Sequence, residues 1–303
     1  NPLYTSKSDE SKSAFKKQRN AVIQMDLLQN EVTEGKNTFS EFYPYRYFAA
    51  EGFLPGYNFT RLPIRAFIPS DEGGEFISRP RFLTLSEFGP QNLIYHDGHK
   101  YRIYQLMTND LESRIRKLRI EENTGYALEE NTENKNMSPF TNEKLETKPS
   151  NVYYNLIPMN DSRTKIVANI NCLEEERTKQ GYYIKTYFTY RGDFNNVATA
   201  LIKHNNEELL KVKYLPTATI IRINERWKSN EINIDGFKID IKTGMYQKED
   251  EDSSSQTNPN IRIVKLYTEI TADAIYIFPT KALNFKPSKE KDAIITLQFA
   301  LKK

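Results

Sequence analysis

The chain has 303 residues and a formal net charge of +3 at neutral pH, enough length for one large domain or two ordinary ones. So small a charge excludes recognition of a nucleic acid by overall charge, and leaves only local clusters of basic residues to indicate that function. The single cysteine, Cys172, excludes a disulfide framework and a thiolate zinc cluster and favours a reducing cytoplasm. No apolar run is long enough to cross a bilayer, so we expect no membrane partner. The polar opening, which starts at Asn1, is typical of a cut made inside a longer protein.

The first predicted elements are helical and occupy a segment from residue 1 to 60. Apolar residues recur at helical spacing between Ser11 and Val32, which predicts an N-terminal helix. A short helix is predicted from Pro44 to Glu51, because proline suits the first turn of a helix and Gly52 suits its end.

Residues 61–128 show short extended runs and one basic helix. The hairpin signal Asp97-Gly98 separates two of the runs. The predicted strands are Leu62–Ile68, Arg81–Phe88, Asn92–His96 and Lys100–Met107. Leu111, Ile115 and Leu118 then mark one face of a predicted helix. Its other face carries Arg114, Arg116, Lys117 and Arg119.

Residues 129–150 are polar and predict a flexible junction, and residues 151–303 form a second β-rich part that ends in a helix. Its predicted strands are Val152–Met159, Lys165–Asn171, Tyr182–Tyr190, Ala198–His204, Leu209–Leu215, Thr219–Asn224, Phe237–Ile241 and Ile261–Tyr267, and its closing helix is 293–303. The strands are short and linked by turns, without the regular helices that a parallel sheet needs. The predicted fold class is therefore α+β, with a predominantly antiparallel sheet or barrel-like body, an N-terminal helix and a few short helices.

The motifs do not assemble a catalytic site. The chain has no phosphate-binding loop of the type GxxxxGK[ST]. It matches two penicillin-binding-enzyme signatures, SxxK from Ser13 to Lys16 and KTG from Lys242 to Gly244, but the SDN signature between them is absent. His96 and His99 flank a turn without a third metal ligand in sequence. We therefore predict no enzyme, no metal site and no cofactor in this chain.

Interleaved basic and aromatic residues are the remaining functional signal, because arginine binds phosphates and rings stack on unpaired bases. The alternative interpretation is that the rings pack the core while the arginines satisfy backbone carbonyls and acids. The candidate nucleic-acid-binding residues are Tyr57, Arg61, Arg65, Arg79, Arg81, Arg102, Arg114, Arg116, Lys117, Arg119, Arg222, Arg226 and Trp227. Arg79, Arg81 and the cluster 114–119 are the predicted phosphate contacts, and Tyr57 and Trp227 are the predicted stacking rings.

Several distinctive stretches occur along the chain. The longest runs from Phe42 to Pro63 and reads FYPYRYFAAEGFLPGYNFTRLP. Shorter ones follow: SRPR at 78–81, SEFGP at 86–90, IYHDG at 94–98, EEER at 174–177, QGY at 180–182, RIN at 222–224, GFKID at 236–240 and TLQFAL at 296–301. In this order they resemble one family of large bacterial superfamily-2 helicases, the DISARM anti-phage helicase DrmA and its relatives.

The resemblance implies a cytoplasmic accessory region on the C-terminal side of two motor domains. Those motor domains, absent here, would supply ATP and Mg²⁺ chemistry, so the parent protein would be an ATP-dependent DNA helicase in anti-phage defence. The implied partners are single-stranded or duplex DNA, the helicase motor domains and a second defence-complex subunit. The rival interpretation is a protein–protein docking scaffold within such a complex, in which the aromatic segment packs on a partner.

Overall fold

The computed structural model describes residues 62–70, 74–107, 111–129, 150–170, 181–228, 234–247, 259–279 and 287–300. The described residues belong to one compact unit, Pro63–Lys303, apart from Leu62 at its border. The predicted N-terminal helix, the helix from Pro44, Tyr57 and Arg61 all lie outside these ranges, as do residues 130–149 of the predicted junction 129–150.

The first sheet has five strands in the order β2-β1-β8-β4-β3. They are β1 (Ile64–Ile68), β2 (Glu75–Arg79), β3 (Leu93–His96), β4 (His99–Leu106) and β8 (Ser162–Asn169). The Asp97-Gly98 turn joins β3 to β4, with φ angles of 42° and 74°, as the hairpin signal predicts. His96 on one edge strand contacts the Glu75 carboxylate on the other, so the sheet is curled.

The second sheet has eight strands, which come from the chain segments before and after β8. They are β5 (Arg116–Glu121), β6 (Ala127–Glu129), β7 (Ser150–Pro158), β9 (Tyr182–Thr189), β10 (Thr199–His204), β11 (Glu207–Trp227), β12 (Phe237–Asp240) and β13 (Ile261–Pro279). The main path is β10-β11-β13-β7-β5-β6, while β9 pairs with β11 and β12 pairs with β13. A bridge between Tyr126 and Phe188 brings β6 to β9, which curls this sheet as well.

The segment predicted as the strand Arg81–Phe88 is instead the helix α1 (Arg81–Glu87). Leu85 and Phe88 are buried one helical turn apart. The Thr84 hydroxyl donates to the Arg81 carbonyl at 2.6 Å, and the Asn92 amide donates to the Glu87 carbonyl at 2.7 Å. The spacing of apolar residues in so short a run fits a strand as well as a helix. Here the segment is helical because one face of the helix is buried.

The predicted basic helix across Leu111–Arg119 is also wrong. A single 3₁₀ turn, Glu112–Arg114, leads into the strand β5. Leu118 and Ile120 face the core, while their neighbours alternate to the other side of the sheet. Pairing with β6 and β7 on both sides overrides the weak local helical pattern.

Two strands are longer than predicted. The predicted strands at 209–215 and 219–224 are one strand, β11, whose register shifts between Leu215 and Ala218. Pro216 lies at this irregularity, where its missing N–H is tolerated. The predicted strand Ile261–Tyr267 continues to Pro279 as β13. The predicted closing helix is confirmed in outline as α2 (Pro287–Ala300).

The predominance of β structure and the barrel-like character are confirmed, since the described residues form mixed sheets curled into a half-barrel. The sheets are not purely antiparallel, because β1 pairs with β8 and β13 with β7 in parallel. Each sheet takes strands from both sides of residues 129–150, since β8 lies in the first sheet and β5 in the second. The described helices include none long and apolar enough to span a membrane.

Candidate nucleic-acid interface

The first sheet has a buried face and an exposed face. Ile64, Ala66, Ile68 and Ile103 face the main core, so the residues that alternate with them along the strands point outward. We call these the outer face of the first sheet. Its residues are Phe76, Ser78, Arg65, Phe67, Arg163, Lys165, Lys100, Arg102, Tyr104, Gln105, Leu93 and Tyr95.

The outer face is basic. It carries Arg65, Lys100, Arg102, Arg163 and Lys165, and none of the residues just named is acidic. Arg102 and Lys165 occupy directly opposite positions on β4 and β8. Like charges placed opposite each other across two strands destabilise a sheet by roughly 0.2–1 kcal/mol. Within the described ranges, no carboxylate contacts Arg102, Arg163 or Lys165. An anionic ligand would relieve this repulsion.

Aromatic rings alternate with the cations on the outer face. Phe76, 44% exposed, meets Phe67 edge to face with 5.2 Å between ring centroids. The Arg65 guanidinium lies 4.7 Å above the Phe76 ring centroid. The Lys165 ammonium lies 5.8 Å from the ring of Tyr104. Basic groups and rings on one sheet face are the two components that single-strand binding surfaces combine.

Arg65 is held on two sides. Its Nε and Nη2 atoms donate to Asp161 Oδ2 at 3.1 and 2.8 Å, and its backbone N–H donates to Asp161 Oδ1 at 2.8 Å. One face of the guanidinium lies on Phe76. The side chain is nevertheless 52% exposed, so much of it faces solvent.

Two of the predicted phosphate contacts, Arg79 and Arg81, do not lie on the outer face. Arg79 ends β2, and its Nε donates to Glu87 at 2.7 Å while its Nη1 donates to the Ser78 carbonyl. Arg81 is half-buried at the start of α1. By contrast, the predicted residues Arg65 and Arg102 lie together on the outer face.

The predicted cluster 114–119 does not form one surface, because alternate residues of β5 point to opposite faces. Arg114 is exposed in the 3₁₀ turn. Arg116 binds the carboxylates of Glu129 and Glu269 and the Tyr267 hydroxyl. Burial lowers the pKa of Arg116, but the Tyr267 hydroxyl and the Glu269 carboxylate raise it by more, so the net direction is upward.

The two remaining residues of that cluster lie on the opposite face of β5. The Lys117 ammonium lies 4.5 Å from the Tyr154 ring centroid, and Arg119 is half-buried. The cluster therefore serves several separate contacts and presents no continuous basic helix.

The predicted residues on β11 are mostly engaged within the fold. The Arg222 guanidinium lies 5.4 Å from the Phe82 ring centroid, beneath α1. Arg226 is exposed and lies 5.0 Å from the Tyr183 ring. Trp227 is 6% exposed and stacks on Tyr182 at 4.5 Å within the core. Its ring is occupied by packing, so it is not available to stack on a nucleobase.

The sequence analysis names neither Arg163 nor Lys165 as a candidate. The predicted strand begins at Lys165, which leaves Arg163 outside it and hides the shared face of the two cations. The alternation Ser162, Arg163, Thr164, Lys165 was the available signal: Ser162 and Thr164 are buried, and the two cations are exposed. A strand started three residues earlier would have placed both cations on one face.

A second group of titratable side chains lies inside the curl of the second sheet. The Tyr153 hydroxyl donates to the Glu225 carboxylate and lies 2.7 Å from the Tyr187 hydroxyl. Lys185 Nζ lies 3.0 Å from Glu225. Burial, together with the hydrogen bonds to Glu225 and Tyr187, raises the pKa of Tyr153 far above its ordinary value. These groups satisfy one another, which is what buried polar groups need for stability.

In the ranges that the structure describes, no group of three or more metal-ligating side chains comes together. His99 Nδ1 lies 2.7 Å from the Asp97 carbonyl, within its own turn. Comparisons of the chain with protein-family models, curated proteins and solved structures found no match.

Proposed function

We propose that this chain is a non-catalytic region that holds DNA on the outer face of the first sheet, as an accessory to a helicase or translocase whose motor lies outside this chain. The observation that carries the proposal is the placement of Arg102, Arg163 and Lys165 on neighbouring strands, exposed or half-exposed and without a carboxylate partner among the described residues. The helicase setting and a role in anti-phage defence rest on the sequence resemblance to the DrmA family.

The chemistry of this face favours binding that tolerates any sequence. Arginine and lysine contact phosphates, which position a nucleic acid but carry no sequence information. Neutralising phosphates releases counterions, so affinity falls as salt rises. An accessory surface of this type would keep DNA beside a motor while the motor supplies ATP hydrolysis and movement.

The test is a titration of labelled single-stranded and duplex DNA, followed by fluorescence anisotropy at about 50 and 200 mM salt, where phosphate contacts differ most in strength. The triple variant Arg102→Ala, Arg163→Ala, Lys165→Ala should bind much more weakly. The matched control replaces three lysines of other elements, Lys203, Lys211 and Lys242. Absence of binding by the unaltered chain at low salt contradicts the proposal.

The double variant Arg79→Ala, Arg81→Ala separates two interfaces in the same assay. A loss of binding comparable to that of the triple variant would extend the interface to the start of α1. An unchanged affinity would confine it to the outer face, as the pairing of Arg79 with Glu87 favours.

A protein-docking scaffold is the second candidate, and one surface favours it. Strands β10, β11 and β13 share a largely apolar face, formed by Ala200, Ile202, Leu210, Val212, Tyr214, Ile275 and Ile277, with the Asp273 carboxylate at its end beside the Tyr214 hydroxyl. Ile275 is 66% exposed, and exposed apolar surfaces of this kind mark protein contacts. If Ile275→Asp abolishes co-purification with the helicase motor while DNA affinity stays unchanged, the scaffold function is supported.

A further inference from the structure

The proposed DNA-holding face leaves open whether the bound nucleic acid is paired or unpaired. We infer that the outer face takes an unpaired strand, with the Arg65 guanidinium serving as a flat platform on which a base stacks. This inference rests on the proposed function and adds the class of ligand and a distinct role for Arg65.

The geometry of Arg65 indicates stacking more than phosphate binding. Two of its donor atoms, Nε and Nη2, are bound by Asp161 Oδ2, which also offsets its charge. One planar face rests on Phe76. The group that remains available is the opposite planar face, and arginine planes are surfaces on which unstacked bases lie. Asp161 and Phe76 fix the orientation before any ligand arrives.

The platform is supported from beneath. The Phe67 ring packs edge to face on Phe76, and Gly74 lies against Phe67, because a Cβ at Gly74 would come within 2.6 Å of the Phe67 ring. Gly74 also has a φ of 89°, which side chains rarely adopt. Rings and guanidinium therefore occupy one fixed stack at the β1–β2 side of the sheet.

The cations lie beside this stack at intervals that suit an extended strand. Arg163 is paired with Phe67 across β1 and β8, and Arg102 with Lys165 across β4 and β8. The cations lie on β8 and β4, next to the β1–β2 pair that carries the stack, so groups on neighbouring strands are about 4.8 Å apart. Because the sheet is curled until its two edge strands touch, the site covers only part of its circumference and suits a short single strand. A duplex keeps its bases stacked inside the helix, so none of them can stack on the Arg65 guanidinium.

The experiment compares four ligands of equal length on the full chain at low salt: a labelled thymidine strand, the corresponding RNA, a duplex and an abasic strand that keeps the phosphates but lacks the bases. Loss of a stacked base should weaken binding by about 5- to 150-fold. We expect the thymidine strand to bind at least about five times more tightly than the abasic strand, and more tightly than the duplex. RNA should bind as the thymidine strand does, because every base has a stacking face.

The variants Arg65→Lys and Arg102→Lys test whether the planar guanidinium of Arg65, and not only its positive charge, is needed for binding. Arg65→Lys keeps the charge but removes the plane, so it should abolish the preference for the thymidine strand over the abasic one. Arg102→Lys, the matched control, should keep that preference. Phe76→Leu, which removes the supporting ring, should act as Arg65→Lys does, and a thermal unfolding curve for each variant verifies its fold.

Each contrary result points to a different failure. Equal binding of abasic and thymidine strands, or tighter binding of the duplex, overturns the stacking inference and leaves the phosphate-holding function intact. A preference that survives both Arg65→Lys and Phe76→Leu overturns the role of the platform. No binding of any of the four ligands at low salt overturns the proposed function itself.

Discussion

Removal of three cations from the outer face should change the salt dependence of DNA binding by a calculable amount. The perturbation is the triple variant Arg102→Ala, Arg163→Ala, Lys165→Ala. Each phosphate contact on a single strand contributes about −0.7 to the slope of log affinity against log salt, so three contacts contribute about −2. A fourfold rise in salt then weakens those contacts together by about 20-fold.

The assay is anisotropy with a labelled single strand at four or more salt concentrations, for the unaltered chain, the triple variant and the control triple at Lys203, Lys211 and Lys242. The slope of the triple variant should be less steep than that of the unaltered chain by about 2. The variant should fold normally, since the repulsion between the opposite pair Arg102 and Lys165 is removed.

Two results would refute this reasoning. Equal slopes for the unaltered chain and the triple variant would mean that the three cations make no phosphate contact. An equal reduction of slope in the control triple would mean that binding follows net charge and not the outer face.

Three further predictions concern stability. Gly74→Ala should destabilise the fold by about 1 kcal/mol or more in a denaturant titration, because it combines an unfavourable φ with a clash against the Phe67 ring; an unchanged midpoint would contradict it. Trp227→Ala should cost about 3–5 kcal/mol as a buried-ring deletion, measured by the same titration, and DNA affinity should stay constant in the fraction that remains folded. The Asp273 carboxylate accepts from the Thr217 N–H and the Tyr214 hydroxyl, which lower its pKa below the ordinary 3.8. Its contribution to stability is therefore present above pH ~4 and lost as the pH falls through the lower folded pKa; Asp273→Asn should remove this part of the acid sensitivity of the unfolding temperature.

Some elements could be predicted from the sequence alone, because the residues that determine them lie within a few positions of one another. The turn at Asp97-Gly98 dictates a hairpin because both residues adopt positive φ angles, and the alternation of buried and exposed residues along β4 confirms the predicted strand. The β-rich class follows from many such short signals. The predicted candidates Arg65 and Arg102 both lie on the outer face, and each belongs to a strand that the sequence alone indicates.

Longer-range packing decided the rest. Arg81–Glu87 is helical because one of its faces is buried, and β5 is a strand because β6 and β7 pair with it on both sides. In both segments the apolar spacing fits either period, so no local pattern distinguishes the two.

The candidate interface shows the same division. The sequence by itself determined that basic residues alternate with rings and that no motor motif is present. Only the tertiary structure brought Arg163 beside Phe67, through a parallel pairing of β1 with β8 between residues about a hundred positions apart. It also buried Trp227 against Tyr182 and bound Arg79 to Glu87. Which side chains face solvent on a sheet depends on which strands pair and in what register, and that choice is made by the whole chain.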